Sequence, residues 1–266
     1  MTTFVYIDYG PSPDIAVELK YSLSTLLYEY RGREPAVVVY TDKPAVYASL
    51  PANVRTKDLA PHFAAWTHGG DYAHRVKPCV LIDALANEDE ICALVDSDTF
   101  IRRGFADALA ERQAAGGVVM DHFERADPYS EASGFSAEIP GLGRYTYDAA
   151  ESRMFNSGLV AACRRHIPQL EQAVALVDAF LDSGLAQFNI EQIAVSEAFR
   201  LAGEPISEIK PWFEHYYRRS QKLYMRPRIA ALAARVGGWR PMAPALEPSK
   251  LNVRSAHIVS RLKGNA

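Results

Sequence analysis

The sequence predicts an α/β fold in which helices flank a mostly parallel central sheet. Apolar runs at residues 4–7 and 36–40 enclose a segment with apolar residues at helical spacing, so the chain opens with a strand, a helix and a strand. Another buried strand is predicted at residues 91–95, where five apolar residues are too few for a helix and have polar neighbours on both sides. The chain has 266 residues, 48% hydrophobic and 23% charged, which is typical of a soluble protein with a large core.

The first helix has start and stop signals. A cap, a proline at the first helical position and an acid in the first turn occur at residues 12–14, and Gly32 ends the helical pattern. This strand–helix–strand unit lacks a glycine-rich phosphate loop. Dinucleotide dehydrogenases and P-loop enzymes need glycines where the backbone approaches phosphate, so the sequence argues against both classes.

Two carboxylates follow the predicted strand at residues 91–95. Because side chains alternate along an extended chain, we expect Asp96 and Asp98 on one side, at the carboxyl end of a parallel strand, where open α/β sheets bind ligands. Oxygen ligands in this arrangement suit Mg²⁺ or Mn²⁺, which complete their coordination with water and the phosphates of a substrate. The alternative is structural, with Asp96 as a turn residue and Asp98 as the cap of the next helix.

A second motif, Phe155-Asn156-Ser157-Gly158, lies some sixty residues after the two carboxylates. With the N-terminal strand–helix–strand unit, these motifs make residues 3–217 resemble the nucleotide-sugar glycosyltransferases of the GT-A fold, among them glycogenin-like and bacterial surface-glycan enzymes. The resemblance implies a Rossmann-like, mostly parallel sheet and an Mn²⁺ or Mg²⁺ cofactor. It also implies transfer of a sugar from a nucleoside-diphosphate sugar, with UDP favoured, to a hydroxyl of a glycan or glycolipid in bacterial surface polysaccharide assembly.

The resemblance assigns a donor site near the first strand. Tyr6, Asp8 and Tyr9 are candidates for contacts to the base and ribose, although core packing is the favoured interpretation for Tyr6. Arg75 and Lys77 resemble an Arg-x-Lys segment beside the donor, where the arginine would hold one of the metal carboxylates and a phosphate or sugar oxygen at once. The alternative for this pair is a solvated basic face.

In the family, the Asn-Ser-Gly segment lies against the transferred sugar. An asparagine offers a donor and an acceptor to hydroxyls, and a glycine permits close backbone approach. The alternative is an ordinary turn before a strand. Lys222, or Arg219 in its place, would neutralise the leaving diphosphate. The full donor-binding prediction is Tyr6, Asp8, Tyr9, Arg75, Lys77, Asp96, Ser97, Asn156, Ser157 and Lys222.

His215 is the predicted third metal ligand beside Asp96 and Asp98. It resembles the lone histidine that follows the last strand in many GT-A enzymes. In glycogenin-like enzymes the histidine precedes a glycine and then Lys-Pro-Trp, whereas here Lys-Pro-Trp, at residues 210–212, comes first and the glycine is missing. This departure prevents transfer of the rest of that motif.

Glu191, Gln192 and Asp121 are the candidate catalytic residues. The resemblance places an acidic–Gln pair at a helix start that faces the anomeric carbon and the acceptor. Glu191 or Asp121 would be the general base of an inverting enzyme, whereas Gln192 or Glu191 would stabilise the sugar in a retaining one. The structural alternative is a capping box of Asn189 and Gln192, with Glu191 as a first-turn acid.

Residues 123–150 form a predicted loop of 28 residues rich in Gly, Pro, Ser and acids. A loop of this length inside a compact domain is usually a functional lid or a disordered segment. We interpret it as an acceptor-side lid with Tyr129, Tyr145 and Tyr147 as sugar-stacking rings.

The C-terminal part is strongly basic. Residues 215–266 carry eleven Lys or Arg and one acid, a charge of +10, which leaves −13 for the rest of a chain with net charge −3. We therefore divide the chain into a catalytic domain, residues 1–222, and a basic tail, residues 223–266, with a helix at about 227–237. Its apolar stripe, basic flanks and Trp239 are typical of peripheral membrane contact. The alternative is packing on the acidic domain or on a second copy in a homodimer.

We expect a cytoplasmic protein, peripheral at the inner face of the membrane if the tail binds lipid. No apolar run is long enough to span a bilayer, and the first residues lack the basic region of a signal peptide. Three scattered cysteines predict neither disulfides nor zinc, and no nucleic-acid partner is predicted.

Two other functions compete with sugar transfer. A haloacid-dehalogenase-type phosphatase also starts from Asp-x-Asp, but it needs the motif near the first strand and Thr or Val where this chain has Phe100. The non-enzymatic alternative is a protein that binds a sugar nucleotide without turning it over.

Overall fold

The computed structural model describes residues 2–185, 187–237 and 240–248, which form an α/β fold around a seven-stranded sheet. The helices are α1 (Pro13–Glu29), α2 (Phe63–Trp66), α3 (Val76–Asn87), α4 (Phe105–Ala114), α5 (Ile167–Asp182), α6 (Ile190–Leu201) and α7 (Arg219–Val236). The strands are β1 (Thr2–Asp8), β2 (Val37–Thr41), β3 (Val54–Asp58), β4 (Ile91–Val95), β5 (Thr99–Ile101), β6 (Val118–Met120), β7 (Phe123–Ala126), β8 (Ser136–Ile139), β9 (Gly143–Thr146), β10 (Arg153–Phe155), β11 (Leu159–Cys163), β12 (Ile206–Glu208) and β13 (Phe213–His215). The predicted strand–helix–strand opening and the predicted strand at 91–95 are confirmed.

The central sheet has the order β12-β6-β11-β4-β1-β2-β3 and is parallel except for β11. Since β11 runs antiparallel to β4, its first residue, Leu159, pairs with Val95, the last residue of β4. The Asp96 N–H also donates to the Gly158 carbonyl at 2.9 Å. The two sequence motifs therefore meet because one follows β4 and the other precedes β11.

Helices cover both faces of the sheet, as the alternation of strand side chains requires. Val5 and Leu94 point into the larger apolar cluster, which includes residues of α3, α5 and α6. Phe4 and Val95 point into the opposite cluster, with residues of α1 and α4. Tyr6 belongs to this second cluster. The carboxyl ends of the strands are thereby left as the open edge of the sheet.

The prediction of a lid at residues 123–150 is wrong. This segment contains β7, which pairs with β10, and the hairpin of β8 and β9. Its three tyrosines are core residues, with exposures of 7% for Tyr129, 4% for Tyr145 and 0% for Tyr147. Tyr129 and Tyr147 pack against Phe180 of α5. The polar composition of this segment predicted a loop, but it forms short strands. Two of its aromatic side chains are buried against α5, which follows later in the sequence.

Helix α7 begins eight residues earlier than predicted and contains Pro227. Four of its apolar side chains, Tyr224, Met225, Ile229 and Leu232, are buried in a cluster with Tyr21, Phe100 and Tyr216. An interior proline costs about 3 kcal/mol. Burial of one large apolar side chain contributes roughly 1.5–3 kcal/mol, so packing against the domain outweighs that cost. The predicted division between residues 222 and 223 falls inside this helix.

The segment after α7 also lies on the domain. Ser24 donates its hydroxyl to the Arg240 carbonyl at 2.6 Å, and the Met242 N–H donates to the Ser24 carbonyl at 3.2 Å. The apolar stripe expected to contact a membrane is therefore used for packing, while Trp239 and residues 249–266 lie outside the described residues. Within the described ranges, no helix combines the length and apolar character needed to cross a bilayer.

Candidate metal centre and binding cavity

Asp96, Asp98 and His215 bring their ligand atoms within 4.8 Å of one another. The His215 Nε2 atom is 3.3 Å from Asp98 Oδ1 and 3.6 Å from Asp96 Oδ2. Pairing of β13 with β5 places the histidine, because His215 is opposite Thr99 and the Tyr216 N–H donates to the Asp98 carbonyl at 3.0 Å. The structure thus brings together the three candidate metal ligands that the sequence predicted.

The protonation of His215 fits a role as metal ligand. Its Nδ1 is 2.9 Å from Asn156 Oδ1 and 3.5 Å from Asp121 Oδ2, two acceptors that assign the ring proton to Nδ1. The Nε2 atom is buried, has no hydrogen-bond partner among the described residues and faces the carboxylates of Asp96 and Asp98. A cation bound there would take the place of the proton on Nε2. Adjacent ligands of an octahedral cation with bonds of about 2.1 Å are about 3 Å apart, close to the 3.3 and 3.6 Å between His215 Nε2 and the two carboxylates. The donor set therefore fits Mg²⁺ or Mn²⁺.

The pKa shifts of His215 and Asp98 show that the carboxylates of this site attract positive charge. Although burial opposes the charged form, the Asp98 and Asp121 carboxylates raise the pKa of His215 to about 10. Burial also raises the pKa of Asp98, but His215 and Lys222 together hold it below its usual range. The excess of carboxylate charge is therefore balanced by protein cations when no metal is bound.

Asp121 has no access to the cavity. It is fully buried and contacts His122 and His215, so it orients the His215 ring from behind, as carboxylates that contact metal-ligating histidines commonly do. This corrects its prediction as a general base, since a base must reach the acceptor hydroxyl.

Gly158 makes room for His215. A Cβ atom at residue 158 would lie 2.3 Å from the Nδ1 atom of His215, far inside any real contact. We predicted that this glycine permits close approach to a sugar. The described contacts give it a different role, which is to let the His215 ring pack against the backbone.

Two lysines flank the carboxylates. Lys77 donates to Asp96 Oδ2 at 2.8 Å and to Ser157 Oγ at 3.2 Å, and Lys222 donates to Asp98 Oδ2 at 2.7 Å. Burial lowers the pKa of Lys77, but Asp96 and Glu191 raise it above its ordinary value. Because the Lys77 side chain is only 13% exposed, the interpretation as a solvated basic face is wrong for this residue.

Glu191 and Gln192 face the Ser157 segment. Ser157 Oγ donates to Glu191 Oε2 at 2.9 Å, and the Ser157 N–H donates to Gln192 Oε1 at 3.0 Å. Burial raises the pKa of Glu191 to about 7, although Lys77 opposes this shift. The Asn189 side chain makes no capping hydrogen bond to α6, so the capping-box alternative is wrong. Both side chains are therefore used at the cavity.

These groups open onto a cavity of about 580 Å³ at the carboxyl edge of the sheet. Most of the predicted site residues line it: Tyr9, Lys77, Asp96, Ser97, Asp98, Asn156, Ser157, Glu191, Gln192, His215 and Lys222. Asn156 uses its amide within the protein, because Nδ2 donates to Glu124 and Oδ1 accepts from the Gly158 N–H. These hydrogen bonds lie within the protein and link Asn156 at the cavity wall to Glu124 and Gly158.

Three residues predicted to contact the donor, Tyr6, Asp8 and Arg75, have other partners in the structure. Tyr6 is a core residue whose hydroxyl lies 3.1 Å from Ser22 Oγ. Asp8 is fully buried, with Lys43 and Tyr47 as hydrogen-bond partners.

Arg75 binds Asp178 of α5 through two hydrogen bonds of 2.6 and 2.8 Å. Its guanidinium group is thereby occupied. The contact that we expected between Arg75 and Asp96 is made by Lys77 instead. An arginine fork fits any carboxylate, and the spacing of residues along the chain does not reveal which one.

Sequence reasoning missed several cavity residues, among them His74, Glu124, Phe188 and Arg226. Arg226 pairs with Glu18, a contact across 208 residues that leaves no local signal. The position of Phe188 just before the acidic–Gln helix is a local signal that would have identified it.

Comparisons with solved structures agree with this architecture. No family model matches the sequence, and no curated protein is significantly similar to it. The chain is similar to galactosyltransferase LgtC in complex with donor and acceptor sugar analogs, with TM-score 0.59 and 12% identity over 96% of this chain and 99% of LgtC. An active-site glutamine-to-glutamate mutant of LgtC gives TM-score 0.57 and 12% identity over 88% and 95% of the two chains. Mouse xyloside xylosyltransferase 1, in its apo form, gives TM-score 0.50 and 10% identity over 78% and 85%. The protein has the GT-A fold of these glycosyltransferases, as the sequence predicted.

Proposed function

We propose that this protein is a metal-dependent glycosyltransferase that moves a sugar from a nucleoside-diphosphate sugar to an acceptor hydroxyl. The observation that carries the proposal is the convergence of Asp96, Asp98 and His215 at the wall of the cavity, with Lys77 and Lys222 beside them. Carboxylates with one imidazole hold a hard cation, and the cation with two lysines would match the charge of a diphosphate. The GT-A fold supports the same conclusion.

Asp96, Asp98 and His215 would hold Mn²⁺ or Mg²⁺, which supplies Lewis-acid neutralisation of the diphosphate when bound. Lys222 lies 2.7 Å from Asp98, and Lys77 lies 2.8 Å from Asp96, so each has a position from which to bind phosphate oxygens. In the reaction, the bond from the anomeric carbon to phosphate breaks and a bond to the acceptor oxygen forms. The hydroxyl proton is lost, and the nucleoside diphosphate leaves.

Glu191 is the carboxylate best placed for the chemical step. It is 2% exposed, lines the cavity, and has a pKa of about 7, which suits proton transfer near neutral pH. In an inverting reaction it would take the acceptor proton, and in a retaining reaction it would stabilise positive charge on the sugar. The anomeric configuration of the product, measured by NMR, separates these two roles.

The finer assignments extend this proposal. We infer a UDP-sugar donor, a glycan or glycolipid acceptor in bacterial surface polysaccharide assembly, and action in the cytoplasm without a nucleic-acid partner. Peripheral membrane contact or a homodimer would involve the solvent-facing side of α7 and the basic residues after it. Flotation with anionic liposomes tests membrane contact. A variant ending at residue 248 is the comparison to use, because a cut at 222 would remove the buried side of α7.

The central experiment measures donor hydrolysis and sugar transfer across UDP- and GDP-sugars, with Mn²⁺ and with EDTA. Metal-dependent release of UDP or GDP by the wild-type protein, lost in Asp98→Asn, supports the proposal. Phosphate release from simple phosphomonoesters would support the phosphatase alternative. Tight UDP binding without turnover of any donor would identify a binding protein and reject the enzyme.

A further inference from the structure

Phe188 is an exposed aromatic ring on the wall of the cavity. Its exposure is 78%, whereas the other exposed large apolar residues in the described ranges, Val46 and Phe123, are at 37% and 41%. A single exposed apolar side chain needs no explanation on an open surface. Phe188, however, lines the cavity and directly precedes Asn189 and α6, which carries Glu191.

The backbone of Phe188 is tied to that of Glu191 through one hydroxyl group. Tyr72 donates its hydroxyl to the Phe188 carbonyl at 2.8 Å, and the same oxygen accepts from the Glu191 N–H at 3.1 Å. The His74 ring packs edge-on against the Phe188 ring, with centroids 4.7 Å apart and an interplanar angle of 81°. The backbone that carries the exposed ring is thus linked to the backbone of the proposed catalytic residue, and His74 contacts the ring from one side.

This wall differs chemically from the metal end of the cavity. Burial lowers the pKa of His74 to about 4, so the imidazole is neutral at pH 7 and adds no charge beside the phenyl ring. A diphosphate is attracted to the charged end, where Lys77 and Lys222 lie. An uncharged aromatic wall instead suits a ligand with an apolar face and polar edges, such as a pyranose ring whose C–H groups lie on an aromatic face.

We propose that Phe188, with His74 packed against it, forms the stacking platform of an acceptor subsite for the pyranose ring of a neutral saccharide. This inference rests on the proposed glycosyltransferase activity and identifies the acceptor class. The deep, charged part of the cavity holds the donor, and a sugar arriving from solvent meets the exposed ring at the rim. The stacked sugar is then held beside Glu191, where its hydroxyl is needed.

The test compares Phe188→Ala, Phe188→Trp and the control Phe123→Ala. Phe123 is also an exposed ring, packed edge-on against Phe155 at 5.6 Å, but it lies outside the cavity lining. Calorimetry measures UDP affinity with Mn²⁺. Saturation-transfer NMR measures the binding of methyl β-galactoside, methyl β-glucoside and maltose to protein saturated with UDP. Transfer kinetics measure the KM for the same saccharides on protein saturated with donor.

We expect Phe188→Ala to weaken saccharide binding, and to raise the saccharide KM, by about two- to tenfold, the usual effect of one lost aromatic stacking contact. UDP affinity, donor hydrolysis in water and the melting temperature should stay at wild-type values, and Phe188→Trp should restore saccharide binding. Phe123→Ala should change none of these quantities.

Three results would overturn the platform while leaving the proposed function intact. The first is saccharide binding that is unchanged in Phe188→Ala. The second is absence of saccharide binding to the wild-type protein although UDP and Mn²⁺ bind. The third is a loss of UDP affinity in Phe188→Ala, which would make the ring a nucleobase contact. Failure of the wild-type protein to bind UDP with Mn²⁺ would instead reject the proposed function itself.

Discussion

Replacing Gly158 by alanine tests whether this glycine exists to admit the ring of His215. The new Cβ atom would lie 2.3 Å from Nδ1, 2.8 Å from Cγ and 2.9 Å from Cε1 of that ring. The ring has little freedom to yield, because it is 7% exposed and its Nδ1 is 2.9 Å from Asn156 Oδ1. We therefore expect the imidazole to move and its Nε2 to leave the metal cluster.

The size of the effect follows from packing. Overpacking of this kind typically costs 1–3 kcal/mol, and loss of the hydrogen bond to Asn156 adds about 1 kcal/mol. We expect the free energy of unfolding to fall by about 2–4 kcal/mol in Gly158→Ala. The Mn²⁺-dependent affinity for UDP should fall by about tenfold to a hundredfold, as when the orientation of a metal-ligating histidine is disturbed.

A double-mutant cycle isolates the steric clash between the added Cβ atom at residue 158 and the His215 ring. Urea unfolding and calorimetry with UDP and Mn²⁺ are measured for Gly158→Ala, His215→Ala and the double variant. Without the imidazole ring the three atoms nearest to the added methyl group are gone, so Gly158→Ala should cost less than about 0.5 kcal/mol in the His215→Ala background. Additive costs in the two backgrounds would refute this explanation of the glycine.

Three further predictions concern the site and its surroundings. Asp98→Asn should abolish Mn²⁺-dependent UDP binding with an unchanged circular dichroism spectrum, and His215→Ala should weaken it less; unchanged affinity in Asp98→Asn would contradict the metal assignment. The pKa of Glu191 is raised to about 7, so the folded state holds a proton that the unfolded state has lost, and wild-type stability should decrease by about 3 kcal/mol from pH 4.5 to pH 7 through this group. Urea unfolding in EDTA should show the difference between Glu191→Gln and wild type growing by that amount over this range, and a constant difference would show an ordinary carboxyl. Arg75→Ala should lower the free energy of unfolding by about 1–2 kcal/mol through lost hydrogen bonds to Asp178 while UDP affinity stays constant; a loss of affinity would restore Arg75 to the donor site.

Local sequence patterns determined the fold class and the centre of the site. An apolar run ending in Asp96 and Asp98 specifies a buried strand with two carboxylates on one side, because side-chain alternation is a property of the strand itself. The Asn-Ser-Gly motif before β11 and the acidic–Gln pair at the start of α6 were instead identified by their resemblance to motifs of GT-A enzymes, and the comparison structures show the GT-A fold that this resemblance implied.

Tertiary packing alone decided which partner each polar side chain has. Arg75 binds Asp178 across 103 residues, and the expected contact with Asp96 is made by Lys77. Asp121 lies behind His215 rather than in the cavity. A charged group is complementary to any opposite charge, so its partner depends on which helices and strands pack together, and this information is absent from the spacing of residues along the chain.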